Sequence, residues 1–399
     1  MLQIKLNSLI LILTFFFLIS CDCRSPLESE EPVFSNSNCI AIQNGTLIDG
    51  NGGTPLSKAT VIIKDGIIIY SGLGLDASAI IPDSCFVIDA RGKSILPGFF
   101  NTHVHNTNDT TAMKTWLNEG VTTVRDLAIP SNERRRMQQL LKLKPSYYFP
   151  RMIYSSPIFN IPTGVPHGSY GVTVTSPEHA RSRTNQNIDD GVDLIKVYLD
   201  ERDNYESMPL EYLEAIVETA HSRNVKVVVH AQENHLYERA IDGGADEIVH
   251  PMIYEMTPDS LIERIIEDDI GVISTLEIYQ YPPMRQQAMR NIYKLHQNGV
   301  RIALGSDYEL RWPMDLGMPI TELELLNQAG LTPMEAIVTA TKNAAYFCEL
   351  EDSLGTIEEG KIADVILVEG NPLNNLRLLK DNLNVVIHNG KIINYRLDP

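Results

Sequence analysis

His103-Val104-His105 places two imidazoles two residues apart, and in an extended strand that period turns both onto one face with Val104 on the other. Such a pair can chelate a divalent ion. Three further residues of ligand type close short apolar runs: His230 ends Lys226–His230, His250 ends Glu247–His250, and Asp307 ends Ile302–Asp307. Neutral imidazoles and a carboxylate suit zinc or a similar divalent ion, whose charge needs deprotonated donors arriving from several directions. Lys196, in Asp193-Leu-Ile-Lys-Val-Tyr-Leu199, shares a face with Leu194 and Tyr198 by the same alternation and should point inward, toward these groups. Burial beside cations would depress its pKa and leave a nucleophilic amine. Carbon dioxide adding to that amine gives a carbamate, an anion whose two oxygens can bridge two metals.

Residues so far apart in the chain can meet only if their strands end at one rim. From Gly98 onward, short apolar runs alternate with helical patterns, with strands expected at 101–105, 121–128, 151–155, 194–199, 226–231, 247–250, 271–276 and 301–307. Helix-length segments such as Pro209–Arg223, Asn234–Asp242, Asp259–Glu267 and Pro283–Asn298 fill most of the intervals. Eight such alternations predict an α/β protein built on a (β/α)8 barrel of the TIM type, whose strand C-termini carry the active site. A helix over Thr332–Ala345 follows, opened by a capping box of Thr332 and Glu335. On either side lie β-rich pieces. In the first, Asp65-Gly66 between two β-branched runs signals a hairpin. The expected organisation is a small discontinuous β-sandwich domain (39–97 plus 351–399) into which the barrel with its candidate metal ligands (98–350) is inserted.

The chain has 399 residues, 43% of them hydrophobic and 21% charged, which is an ordinary globular composition and ample for a large core. Its formal charge of −18 would repel phosphate backbones, so a nucleic-acid partner is excluded. A small-molecule substrate remains, and a homo-oligomer is compatible with these features. Leu6–Ser20 carries no charge, follows Lys5, and is too short for a comfortable membrane span; it reads as the apolar core of a signal peptide occupying residues 1–20. Leu18-Ile19-Ser20-Cys21 resembles the bacterial lipobox, in which the cysteine becomes the lipidated first residue of the mature chain. Residues 21–38 then form a polar, Pro-containing tether. The expected location is the bacterial cell envelope, extracytoplasmic and anchored through Cys21. Export permits disulfides; Cys39 with Cys85 is the leading pair, and buried free thiols are the alternative.

Taken together, Ile95-Leu-Pro-Gly-Phe-Phe-Asn-Thr-His-Val-His105, Gly120-Val-Thr-Thr-Val-Arg-Asp126, Asp193–Tyr198, His230-Ala231, Ile248-Val-His250, Gly305-Ser-Asp307 and Gly355–Pro372 resemble the amidohydrolase superfamily. The resemblance covers about residues 40–399 and is closest to the binuclear branch with prolidase-like and imidazolonepropionase-like members. It implies one metal on His103, His105, carboxylated Lys196 and Asp307, and a second on Lys196, His230 and His250, both most simply Zn2+. It further implies hydrolysis of an amide or peptide bond, with Xaa-Pro or a similar dipeptide as the leading substrate, by a metal-bridging hydroxide with Asp307 as general base and acid. Tyr198 and His167 are the candidate contacts to a substrate carboxylate. Two departures stand out: Asn101, where relatives commonly carry Asp, and the bulky Tyr308-Glu309-Leu310 after the last ligand. Alternatives are a mononuclear deaminase using Glu233 of His230-Ala-Gln-Glu233 as proton shuttle, a lactone or ester hydrolase, and a non-enzymatic binding lipoprotein.

Overall fold

Two residues with positive φ, Asp65 (51°) and Gly66 (85°), turn the chain tightly between strands β2 (Leu56–Lys64) and β3 (Ile67–Leu73), the left-handed pair that a two-residue hairpin requires. The computed structural model describes residues 38–74, 81–82, 84–309 and 314–396. The expected signal peptide, Cys21 and nearly all of the tether lie outside them. Strand β1 (Cys39–Leu47) pairs with β2 on one side and, in parallel, with β4 (Phe86–Asp89) and β5 (Lys93–Pro97) on the other. Cys39 and Cys85 form a disulfide; Cys348 is the free cysteine among the described residues.

A second set of strands follows, all parallel where they pair. They are β6 (Phe99–Val104), β7 (Val121–Asp126), β8 (Arg151–Tyr154), β9 (Ile158–Asn160), β10 (Gly171–Thr173), β11 (Leu194–Tyr198), β12 (Lys226–His230), β13 (Glu247–Val249), β14 (Gly271–Ile273) and β15 (Ile302–Ala303). They form a three-stranded sheet, β6-β7-β8, and a seven-stranded sheet, β10-β9-β11-β12-β13-β14-β15. The strand ladders are not continuous around a closed barrel. Between the two sheets run single parallel bridges, Val104 with Tyr308 and Ser155 with Leu194. Backbone bonds thicken the first of these seams: Thr102 N to Leu304 O, Asp307 N to His103 O and His105 N to Tyr308 O.

The last two parallel strands are shorter than their apolar runs suggest. Left-handed backbone follows each of them, at Thr275 (φ 45°) two residues beyond β14 and at Asp307 (φ 58°) four residues beyond β15. Strands β9 and β10 were not anticipated. The helix expected over Thr332–Ala345 is in fact two, Pro333–Thr339 and Lys342–Phe347. Its break has a clear cause: Thr339 O accepts from Leu304 N (3.0 Å) and Ala340 O from Phe100 N (2.8 Å), so these carbonyls serve the strands instead of the helix. The capping box of Thr332 and Glu335 is present.

The chain returns to the first sheet through β16 (Val365–Glu369), β17 (Leu383–His388) and β18 (Lys391–Tyr395), with β16 antiparallel to β5. Seven strands lie on one hydrogen-bonded path, β18-β17-β16-β5-β1-β2-β3, and the eighth, β4, pairs with β1 off that path, so the β-sandwich expected from the sequence is a single mixed sheet and not two separately paired ones. Arg151 of β8 ties this sheet to the parallel strands through Asp364 (3.0 Å), which also accepts from the His388 ring (3.1 Å).

Candidate metal centre

His103 and His105 leave one face of β6, and both rings reach the same oxygen: His103 Nε2 lies 2.9 Å and His105 Nε2 3.0 Å from Asp307 Oδ1, and the two nitrogens are 3.3 Å apart. Donors about 2.0–2.1 Å from a common zinc ion sit roughly 3.0–3.4 Å from one another, so this triangle has the dimensions of three corners of a four-coordinate shell. His103, His250 and Asp307 also present ligand atoms within 4.8 Å of one another. Gly305 permits the approach, because a Cβ there would lie 2.7 Å from His103 Cβ and 2.6 Å from the Ile273 side chain.

The ring stack continues across the strand ends. His103 faces His250 (centroids 5.4 Å), His250 faces His230 (4.4 Å), His230 stacks on Tyr198 (4.0 Å), and Tyr198 meets His167 edge-on (4.5 Å). Lys196, 2% exposed, lies on β11 in register with Val228 of β12. Its Nζ and His230 Nε2 have no hydrogen-bond partner, although both are buried. Unpaired buried polar atoms are costly, and a cationic or carbamate-bridged centre would satisfy them; the donor set therefore fits divalent metal.

Electrostatics agree with ligands kept deprotonated. Burial lowers His103 to about 3 and His230 to about 4, and takes His250 well below the usual imidazole range. Burial also brings the Lys196 ammonium down to about 7, against the opposing pull of Asp307. His105 differs: burial would lower it, but the Asp126 and Asp307 carboxylates outweigh that and push it up to about 10. For Asp307, burial opposes ionisation, yet His103 and His105 hold it well below the carboxylate range.

Two departures find physical roles. Asn101 Oδ1 accepts from Ser306 N (3.0 Å) and His103 N (3.4 Å), while its Nδ2 donates to Ser306 Oγ (2.8 Å). It thus joins the two strand ends that carry His103 and Asp307. Tyr308 turns away from the centre and packs edge-on against Trp116 (5.5 Å). Leu310 lies outside the described residues. Glu233, the alternative proton shuttle, is about one-third exposed and faces the His235 ring at 3.5 Å; it is not a member of the His103–His250–Asp307 group.

His167 is held over Tyr198 by Asn160, whose Nδ2 donates to Val165 O and lies 3.4 Å from His167 Nδ1. Two neighbours escaped the sequence reading. Tyr198 OH donates to Asp200 Oδ2 (3.1 Å), which also accepts from Arg202 Nε (2.6 Å) and lies 3.6 Å from His230 Nε2. The alternation that singled out Lys196 and Tyr198 leads two residues further to Asp200, and that was the available signal.

A buried His and Asp cluster at the C-terminal ends of parallel strands, with a buried lysine beside it, defines the class of metal-dependent α/β hydrolases. The amidohydrolase family profile matches residues 94–393, and the chain belongs to that family. Its members are metal-dependent hydrolases, and this chain is an enzyme acting on carbon–nitrogen bonds. It is 27% identical to ochratoxinase of Aspergillus niger over 85% of this chain and 83% of the relative. An imidazolonepropionase of Porphyromonas gingivalis is 23% identical over 78% and 83%. Among solved structures, a Xaa-Pro dipeptidase with methionine bound in its active site superimposes with a TM-score of 0.75 at 24% identity, covering 89% of this chain and 100% of the other.

Proposed function

We propose that this enzyme hydrolyses the C–N bond of a small carboxylate-bearing substrate, Xaa-Pro or a similar dipeptide, with two divalent metal ions, most simply Zn2+. The eight strands β6, β7, β8 and β11–β15 would close, through the two bridged seams, into a (β/α)8 barrel. The observation that carries the reading is the convergence of His103 and His105 on one Asp307 oxygen, beside a buried Lys196 amine with no partner.

His103, His105, Asp307 and a carboxylated Lys196 would hold one ion, and Lys196, His230 and His250 the other. Bound there, the ions would acidify water and polarise the scissile carbonyl. Asp307, kept ionised by its two imidazoles, accepts the proton of the attacking water and delivers it to the departing amine nitrogen. Tyr198 and His167 form an aromatic wall beside His230, where the substrate carboxylate would sit. A solved neighbour described as a Xaa-Pro dipeptidase supports the dipeptide; the ochratoxinase and imidazolonepropionase relatives keep other small C–N substrates in the test.

Metal analysis of protein lacking residues 1–20, paired with a dipeptide library and a panel of aminopurines and pyrimidines, tests this. About two ions per chain and loss of both metal and peptidase activity in Lys196→Ala are expected. One ion per chain, with ammonia release abolished by Glu233→Gln, would replace the reading with deamination. We further propose export and lipid anchoring at Cys21, supported by Leu18-Ile-Ser-Cys21; palmitate should label the wild type and not Cys21→Ala.

A further inference from the structure

Thr275 combines three properties seldom found together: it is β-branched, it is fully buried, and its backbone lies at φ 45°. Left-handed backbone is costly for a β-branched side chain and persists only when the surroundings over-determine it. Here they do. Glu322, fully buried in the helix Ile320–Ala329, accepts from Ser274 Oγ (2.5 Å), Leu276 N (2.8 Å) and Glu277 N (2.7 Å), the residues on either side of Thr275. Thr275 N is bound in turn to Gly305 O (3.0 Å). One carboxylate therefore grips the whole turn 274–277.

The outcome of that grip lies at the metal centre. Thr275 Oγ1 sits 2.7 Å from His250 Nδ1, and both are buried. His250 itself has left-handed backbone (φ 79°), and its carbonyl accepts from the Tyr237 hydroxyl, so its main chain is pinned while its ring is set by Thr275 alone among the hydrogen bonds seen at that nitrogen. Helix Ile320–Ala329 is itself anchored, because Asp315 Oδ2 accepts from Thr321 N (2.9 Å) and Thr321 Oγ1 (2.7 Å), and Asp315 Oδ1 accepts from Lys380 Nζ (2.9 Å).

We propose that Glu322 is a positioning residue that acts through Thr275 to hold His250 as the Nδ1–H tautomer, which leaves the Nε2 lone pair free for the centre. Both the tautomer and its metal consequence rest on the assignment of His250 as a ligand through Nε2, because a threonine hydroxyl can accept from Nδ1–H or donate to a bare Nδ1; the contact at 2.7 Å supplies the fixed partner. A histidine whose other nitrogen donates to a fixed oxygen has both its ring angle and its tautomer set, and loss of such a partner costs about 10- to 100-fold in metal affinity.

Nitrogen-15 histidine NMR of the full metal-free protein reads the tautomer, and chelator competition with Zn2+ reads the affinity. Wild type should show His250 as the Nδ1–H form. Thr275→Val and Glu322→Gln should each give mixed tautomers and weaken Zn2+ binding by about 10- to 100-fold. Thr275→Ser, which keeps the hydroxyl, should restore both readings. The double variant should lose no more than Thr275→Val alone, since both act on one link. An unchanged His250 tautomer in Thr275→Val, failure of Thr275→Ser to rescue, or losses that multiply in the double variant would each overturn the proposal, and Thr275→Val suffices should Glu322→Gln not fold. Altered tautomers with unaltered Zn2+ affinity would uphold the positioning role and refute His250 as a ligand.

Discussion

Asp307 sits where three constraints meet: two imidazole nitrogens share its Oδ1, its backbone is left-handed, and its amide is bound to His103 O at 2.8 Å. Its carboxylate is held ionised, so it can accept a proton but needs both histidines to stay that way. Asp307→Asn keeps the shape and removes the charge. We expect kcat to fall by about 10²–10⁴-fold, the range for loss of a positioned base, with an unaltered circular dichroism spectrum; retention of kcat within threefold would remove Asp307 from the chemistry. At this scale the sequence was legible wherever a residue type is rare in a core. Five histidine and aspartate ligand candidates and Lys196 stand at strand ends in the sequence, and the structure brings His103, His105, His250 and Asp307 within reach of one another. Thr275 and Glu322 were illegible, since a threonine and a helical glutamate are unremarkable until tertiary contacts aim them.

Strand β7 carries the clearest element-level test. Arg125 on this strand is buried, and its guanidinium pairs with Glu247 of β13 (2.6 Å) and donates to Thr102 O (2.9 Å) and Phe347 O (3.0 Å). The pair is buried on both sides, at 1% and 4% exposure. Removing one partner strands a buried charge, so Arg125→Met should destabilise by about 3–5 kcal/mol. Urea unfolding of Arg125→Met and of Arg125→Met/Glu247→Leu checks this: the double variant should recover most of the loss. Equal destabilisation in both would mean the pairing is not what matters. Strand and helix identities were readable from periodicity because period two and period 3.6 are local properties. The early ends of β14 and β15 and the break at Ala340 were not, because they arise from partners elsewhere in the chain.

Across the molecule, the small mixed sheet and the parallel strands are tied by the Arg151–Asp364 ion pair, and one disulfide cross-links the small sheet's own segment. Cys39–Cys85 closes a loop with 46 residues of sequence separation, for which loop-closure entropy gives an upper figure of about 4 kcal/mol. Cys39→Ser/Cys85→Ser should melt well below wild type, and reductant should lower wild type to meet it; a reductant-insensitive melting temperature would show the bond to be unformed in solution. Glu277 supplies a pH test. Burial raises its carboxyl to about 7 despite the bond it accepts from Asp315 N (2.9 Å). Because its folded value lies above its ordinary one, its contribution is fully present below about pH 4.5 and is lost as pH rises through 7. Glu277→Gln stays neutral throughout, so its melting temperature should gain on wild type between pH 5 and pH 8. A gap independent of pH would place that cost elsewhere.

The sequence by itself determined the ligand candidates, the alternating strands and helices, the hairpin at Asp65-Gly66 and the capping box at Thr332, since each depends on residue type and short-range spacing. Tertiary structure alone decided which oxygen His103 and His105 share, that Asn101 joins two strand ends, that Tyr308 packs against Trp116, and that Glu322 governs the turn under His250. The reason is distance along the chain: an interaction between residues 101 and 306, or 250 and 275, leaves no periodic trace, and it forms only when the strand ends are brought to one rim.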